Sequence, residues 1–349
     1  MKLLKTIALT TAAGLTLAAC GDTGGGTRDT IRAVGSSTVY PFAKLVAETF
    51  SRNNPQYGSP LIESTGTGGG ISLFCGGIGP QSPDMANASR RMKVSEFETC
   101  TANGVDEIIE LQVGLDGIAI ASAKNGIDMN LTPDIVYRAI AANPYGKAQT
   151  AEKWSDLDPS LPNLPILVYG PPSTSGTRDA LKELILEAAC KENAEMKALK
   201  ESDEDAYERT CTEVRMDGKY VDQGEQDNLI VQKIQGNPNA VGVFGYSYLE
   251  ENTDKVKGLK MNGVEPTYEN IASFKYPGAR PLFVYVKKAH VDAIPGLAAY
   301  LQQWTSMWDK DGPLAKIGLV SSPEAERAVN LQKATALTPV LTKADLEKK

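Results

Sequence analysis

Ile31-Arg32-Ala33-Val34-Gly35-Ser36-Ser37-Thr38-Val39-Tyr40-Pro41 passes from an apolar strand pattern, through glycine and hydroxyl residues, into a helical pattern. Ile31 to Val34 predicts a strand. Tyr40 to Arg52 predicts a helix with Phe42, Leu45, Val46, Thr49 and Phe50 along one face and Pro41 in its first turn. Ser37 or Thr38 is then the expected cap. Such a turn is also where an anion can sit, because the first amides of a helix lack intrahelical partners and the macrodipole is positive there.

The same arrangement recurs twice. Leu61-Ile62-Glu63 leads into Ser64-Thr65-Gly66-Thr67-Gly68-Gly69-Gly70, with a short helix expected from Gly69 or Gly70. Ile166 to Tyr169 leads into Ser173-Thr174-Ser175-Gly176-Thr177-Arg178, opening a helix that carries Ala180, Leu181, Leu184, Ile185 and Ala188. Gly68 and Gly176 carry no Cβ to obstruct a ligand at their amides. One such loop is an ordinary cap; three suggest a pocket. Further strands are expected at Met85 to Ala88, Ile108 to Val113, Ile118 to Ala121, Ala240 to Phe244 and Leu282 to Val286. A helix starts at Thr132-Pro133, and others end the chain, Trp304 and Trp308 sharing a buried face with Leu301. This alternation predicts the α/β class, with parallel sheets covered by helices.

The chain has 349 residues, 42% apolar and 23% charged, more than one core usually serves, so two domains are expected. Its net charge of −7 argues against a nucleic-acid partner, which needs a clustered basic surface. Lys2 and Lys5 precede an apolar run from Ile7 to Leu17 that is too short to span a bilayer, the pattern of an export signal. Leu17-Ala18-Ala19-Cys20 resembles a bacterial lipobox, which implies removal of residues 1–19 and lipidation of Cys20 on a flexible tether, residues 20–30. A simple small-residue cleavage site is the alternative.

Four cysteines remain. Cys75 and Cys100, and Cys190 and Cys211, flank polar or glycine-rich excursions, and an oxidising periplasm favours a bridge in each pair. Either bridge would restrain its unfolded loop by roughly 3 kcal/mol. There is no Cys-x-x-Cys motif, and neither metal nor cofactor is expected.

Catalytic signals are weak. His290, the one histidine, follows Lys287-Lys288-Ala289 and reads as solvated. Gly66 to Ile71 departs from the dinucleotide pattern at Ile71. A phosphoester hydrolase using Ser175 or Thr177 as nucleophile would need a base or metal that no motif supplies, so no catalytic residue is assigned.

Several motifs together resemble the periplasmic phosphate-binding proteins that feed ABC-type phosphate importers. They are Gly35 to Pro41, Gly66 to Ile71, Asn87-Ala88-Ser89-Arg90, Lys153 to Leu157, Ser175-Gly176-Thr177, and Ala240 to Tyr246. The resemblance implies a two-lobed type II periplasmic binding protein fold, each lobe a central sheet flanked by helices, joined by two crossover strands near Val113 to Gly117 and Leu282 to Val286. Lobe 1 would then comprise residues 31–114 and 285–349, and lobe 2 residues 115–284. It further implies a monomeric carrier, lipid-anchored in the bacterial periplasm, that passes inorganic phosphate to an inner-membrane permease. Sulfate, molybdate and tungstate are the alternative anions.

Carried over by position, Ser37 or Thr38, Thr67, Gly68 and Ser89 would donate from the first lobe, and Ser175, Gly176 and Thr177 from the second. The chain departs from the family in two places. Arg90 stands where many members have an aspartate, and Pro171 where they have an arginine. Arg178 and Arg90 are the candidate guanidiniums; the alternatives are surface pairs with Asp179 or Glu183, and with Glu96 or Asp84. Asp227 and Asn228 are a further contact or an ordinary cap.

Overall fold

Residues 108–123 form a single extended strand of 16 residues, buried along nearly its whole length, on which the rest of the molecule is assembled. The computed structural model describes residues 28–224, 227–338 and 340–348, so the export signal, Cys20 and most of the tether lie outside the described residues. The strands are β1 (Arg32–Gly35), β2 (Leu61–Ser64), β3 (Met85–Ala88), β4 (Ile108–Ala123), β5 (Asn130–Leu131), β6 (Val168–Gly170), β7 (Tyr220–Asp222), β8 (Val241–Gly245), β9 (Val256–Gly258), β10 (Lys260–Met261) and β11 (Ala279–Lys287). They run β2-β1-β3-β11-β4-β8-β6-β7 in one curled sheet. β9 also pairs with β4, and β5 and β10 form a separate pair.

β1, β2 and β3 are parallel, as are β6, β7 and β8, and helices cover both groups. β4 and β11 are antiparallel to each other and link the halves: Ile108 to Gly117 pairs with β11, while Ile118 to Ser122 pairs with β8. Sequence reading splits β4 into two strands at Gly114 and Gly117. The backbone instead stays extended through both, because β11 pairs alongside it as far as Ala279 opposite Gly117. The register slips between Leu282 and Phe283, leaving Val113 as an extra residue, a bulge that bends the ladder where it passes from one half to the other.

The apolar packing divides at the same place. Val113 and Leu282 belong to a core with Phe50, Tyr300 and Trp304, while Leu115 and Ile118 belong to one with Tyr137, Trp154 and Phe244. The helix Tyr40–Asn53 buries Phe42, Ala43, Val46, Ala47 and Phe50, and Phe50 meets Tyr300 edge-on, centroids 5.4 Å apart. Both expected disulfides are present, Cys75–Cys100 and Cys190–Cys211. The second ties the helical excursion of residues 194–212 to the helix Glu187–Cys190.

His290 is not solvated as its lysine-rich context suggests. It is buried, Nδ1 2.6 Å from Asp84 Oδ1 and Nε2 2.8 Å from the Ile78 carbonyl. The segment 77–84 closes over this end of β11, and Lys287 is enclosed with it, its Nζ donating to the Gly77 carbonyl at 2.5 Å. Burial lowers the Lys287 pKa to about 8, partly offset by the Asp84 charge. The unfolded chain therefore holds more protons at this position above that pH, so the contribution of Lys287 to stability rises as pH rises. The contribution is about 2 kcal/mol between pH 8 and 10. Urea titrations across this range should show the stability difference between the native chain and Lys287→Met shifting by that amount in favour of the native chain; parallel curves for the two proteins would contradict it.

Close backbone contacts set the loop after β1. Gly35 has φ +134°, and a Cβ on Gly70 would lie 2.3 Å from Gly35 Cα. Gly70→Ala should accordingly cost about 2 kcal/mol through overpacking. Calorimetry should detect a lowered Tm, and an unchanged one would refute the packing argument.

Candidate functional site

The three anion-type loops follow β1, β2 and β6, each at the carboxyl end of a parallel strand, where open α/β sheets hold their ligands. The loop after β1 is anchored by Ser36 N donating to the Asn87 carbonyl at 2.9 Å. Ser36 Oγ accepts from Val39 N at 3.3 Å, and the residue preceding the helix is Val39, which caps with no side chain. The expectation that Ser37 or Thr38 caps this helix is therefore corrected. Both hydroxyls turn toward the other lobe. Ser37 Oγ donates to Asp179 Oδ2, and Thr38 Oγ1 accepts from Arg280 Nη2 at 2.9 Å and lies 3.5 Å from the Gly176 carbonyl.

The second loop starts its helix at Thr67, earlier than Gly69 or Gly70, because Gly66 at φ +73° makes the turn. Thr67 Oγ1 lies 2.9 Å from Ser89 Oγ and accepts from Ser89 N at 3.1 Å, which ties this loop to the end of β3. Gly68 has open space where a Cβ would stand. The third loop behaves as the sequence indicates: Ser175 Oγ accepts from Thr177 N at 3.2 Å, and the helix begins at Gly176. A Cβ on Gly176 would meet Thr38 Cα at 3.0 Å, so the first and third loops touch across the lobes.

The two predicted arginines are held elsewhere. Arg90 grips Glu96 with both terminal nitrogens, at 2.9 and 2.6 Å, and its pKa is raised by that bond. Burial alone would push the Glu96 carboxyl up, but hydrogen bonds from Arg90 and the Lys93 amide, with the charges of both residues, together outweigh it and leave the pKa lowered. Arg178 lies over the Tyr220 ring, 4.6 Å from its centroid, donates to the Pro171 carbonyl at 3.1 Å and sits 3.6 Å from Asp222. Its ion-pair partner is thus neither Asp179 nor Glu183. Asp227 and Asn228 open the helix Asp227–Gly236, and Asn228 is exposed.

Sequence reasoning missed the guanidinium that does face the first loop. Arg280, on β11, is 5% exposed. Its Nε donates to Asp116 Oδ2 at 3.0 Å, Nη1 to Glu183, and Nη2 to Thr38. Asp116, on β4, has its pKa raised by burial against the opposing effect of Arg280. The available signal was Asp116 within the apolar stretch Val113 to Gly117 and Arg280 two residues before the apolar stretch Leu282 to Val286. These groups meet at a cleft of about 240 Å³ lined by Thr38, Asp116, Ser175, Gly176, Thr177 and Ser247, with the Ser247 hydroxyl unpartnered. Hydroxyls and amides at a helix start line this cleft, and the Arg280 guanidinium stands behind Thr38, an arrangement suited to an oxyanion. Among the described residues no group of three acidic, histidine or cysteine side chains is arranged to hold a metal.

A family model described as a PBP superfamily domain matches residues 21–306. Protein SphX of Synechococcus elongatus is 35% identical over 76% of this chain and 71% of its own length. The phosphate-binding protein PstS of Staphylococcus saprophyticus is 28% identical over 90% of this chain and 88% of its own. The crystal structure of a possible phosphate binding protein from Planctomyces limnophilus aligns with a TM-score of 0.70 at 26% identity, covering 90% of this chain and all of that one. With a family match across most of its length, and two lobes whose loops converge on one cleft, the chain belongs to the PBP superfamily.

Proposed function

We propose that this protein is a non-enzymatic receptor outside the cytoplasm that captures inorganic phosphate between its lobes and delivers it to an ABC importer of the inner membrane. The observation that carries this reading is the meeting of Thr38 from one lobe with Ser175, Gly176 and Thr177 from the other beside the buried Arg280 guanidinium. Phosphate is the ligand named for the PstS relative, and the site's donors suit it. A hydrogen bond to an ionised group is roughly twice as strong as a neutral one, so Arg280 supplies the charge and the hydroxyls supply the geometry.

In this reading Thr67, Gly68 and Ser89 complete the first-lobe side of the site. Arg90 and Arg178 reach the anion only by leaving Glu96 and Asp222, and Asp227 and Asn228 stand at the start of the helix Asp227–Gly236. The lobes divide as 31–114 with 285–349, and 115–284. The bulge in the β4–β11 ladder is the natural flexing point, and an anion touched by both lobes favours the closed form that a permease can recognise. Lipidated Cys20 holds the monomer at the periplasmic face of a membrane, an address in keeping with the two disulfides.

Isothermal titration of protein stripped by unfolding and refolding should give a saturable one-to-one heat with phosphate. A folded protein that gives none, or gives it only with sulfate, molybdate or tungstate, would overturn the phosphate reading. Gly176→Val places new atoms against Thr38 Cα, so phosphate affinity should fall at least tenfold while the Tm stays within a few degrees. Unchanged affinity in that variant would show that the lobes do not close on the ligand at this contact.

A further inference from the structure

From Ile108 to Gly117, β4 pairs with β11 along one edge, and β8 takes the other edge only from Ile118 onward. The end of the chain covers the edge that β8 leaves open. Leu341 N donates to the Ile108 carbonyl at 2.6 Å, Gln112 N to Asn330 Oδ1 at 2.8 Å, and Leu115 exchanges two backbone bonds with Val320, at 2.7 and 3.1 Å. Backbone groups along an antiparallel strand face alternate edges, so Gln112 and Leu115, three residues apart, face the same edge because Val113 bulges out between them. The two contacts therefore straddle the bend. Asn330, on the helix Glu324–Ala336, is fully buried, and its Nδ2 is fixed by the Glu326 carbonyl at 2.9 Å and by Glu326 Oε1 at 2.8 Å. A polar side chain at such a place is explained by the backbone amide it satisfies. Gln112 adds a side-chain bond, Nε2 donating to Ser322 Oγ at 3.1 Å.

The segment that supplies these contacts belongs to both lobes. Leu319 packs in the core with Phe50 and Trp304, and Val320 in the core with Tyr137 and Phe244. Tyr268 Oη, from the second lobe, donates to the Ser321 carbonyl at 3.0 Å. Leu319 also fills the space that a Cβ on Gly114 would need, its Cδ1 standing 2.5 Å from that position. We propose that residues 319–322 brace the bulge of β4 as a third link between the lobes, and that Asn330 is the positioning residue of this brace. By fixing the bend, the brace fixes how the phosphate donors of the two lobes stand relative to each other. The inference rests on the phosphate reading above and adds what sets the geometry of the hinge. Without the Asn330 acceptor, Gln112 keeps a buried amide with no partner, and a shift of the strand at the bulge relieves that cost. A displacement of about 1 Å between groups that must act together is enough to cost tenfold or more.

The test titrates inorganic phosphate into the native chain, Asn330→Leu, Asn330→Asp and Gly114→Ala, with thermal melts of each and NMR hydrogen exchange of the Gln112 amide. Asn330→Leu keeps the size of the side chain and loses the acceptor, so it should bind phosphate at least tenfold more weakly and exchange the Gln112 amide at least tenfold faster. Asn330→Asp keeps the acceptor and should bind within threefold of the native chain, even though a carboxylate beside Glu326 lowers its Tm. Affinity should thus follow the acceptor and not the Tm. Gly114→Ala displaces Leu319 without touching the core helix, should bind at least threefold more weakly, and decides the question alone if the position-330 variants do not fold. Native affinity in folded Asn330→Leu or in Gly114→Ala, or affinity that falls in step with Tm in both position-330 variants, would overturn the proposal. Absence of phosphate heat from the folded native chain would instead defeat the phosphate reading. Exchange then decides the brace by itself: a faster Gln112 amide in Asn330→Leu but not in Asn330→Asp supports it, and equal protection in all three proteins refutes it.

Discussion

The site depends on one buried guanidinium held at the place where the chain passes between lobes. Arg280 lies on β11 beside Asp116 on β4, and their 3.0 Å contact joins the two crossover strands side chain to side chain as well as through the backbone ladder. A buried arginine without that carboxylate would carry a large desolvation cost, and the aspartate alone would be driven toward its neutral form. Together they are tolerable, and the remaining nitrogens are free to reach Thr38 on one lobe and Glu183 on the other. A group that bonds both lobes at their hinge responds to any change in their separation.

The loops around it obtain their geometry from the sheet. β1, β2 and β3 end side by side, so the turns that follow them are neighbours regardless of their distance in sequence. Gly35 and Gly70 bring two of these turns into backbone contact, and Ser89 reaches Thr67 from the end of β3. The third loop reaches the same region from β6 only because β4 carries the second half of the sheet round to face the first. Closure is thus a property of two strands and a bulge, while recognition belongs to short turns supported by rigid elements.

Much of this was legible because it is local. A strand, a glycine-hydroxyl turn and a helix lie within about ten residues in each of the three loops, and Ser175 caps as its position indicates. Arg90 pairs with Glu96, only six residues on. What could not be read depends on distant partners. Arg280 meets Asp116, Glu183 and Thr38 across 164, 97 and 242 residues. Ser37 and Thr38 abandon their expected capping role for partners equally remote, and Ser36 alone serves the turn. The lysine-rich run before His290 suggests water, yet Lys287 is itself enclosed, because the segment 77–84 folds back over β11 from two hundred residues earlier.

The central claim is that donors from both lobes and the hinge arginine surround one anion. A crystal structure of the protein grown with phosphate and without sulfate examines it most directly. The account predicts tetrahedral density in the cleft within hydrogen-bonding distance of Thr38, Ser175 and Arg280. Phosphate bound elsewhere on the molecule, with no density in this cleft, would contradict it.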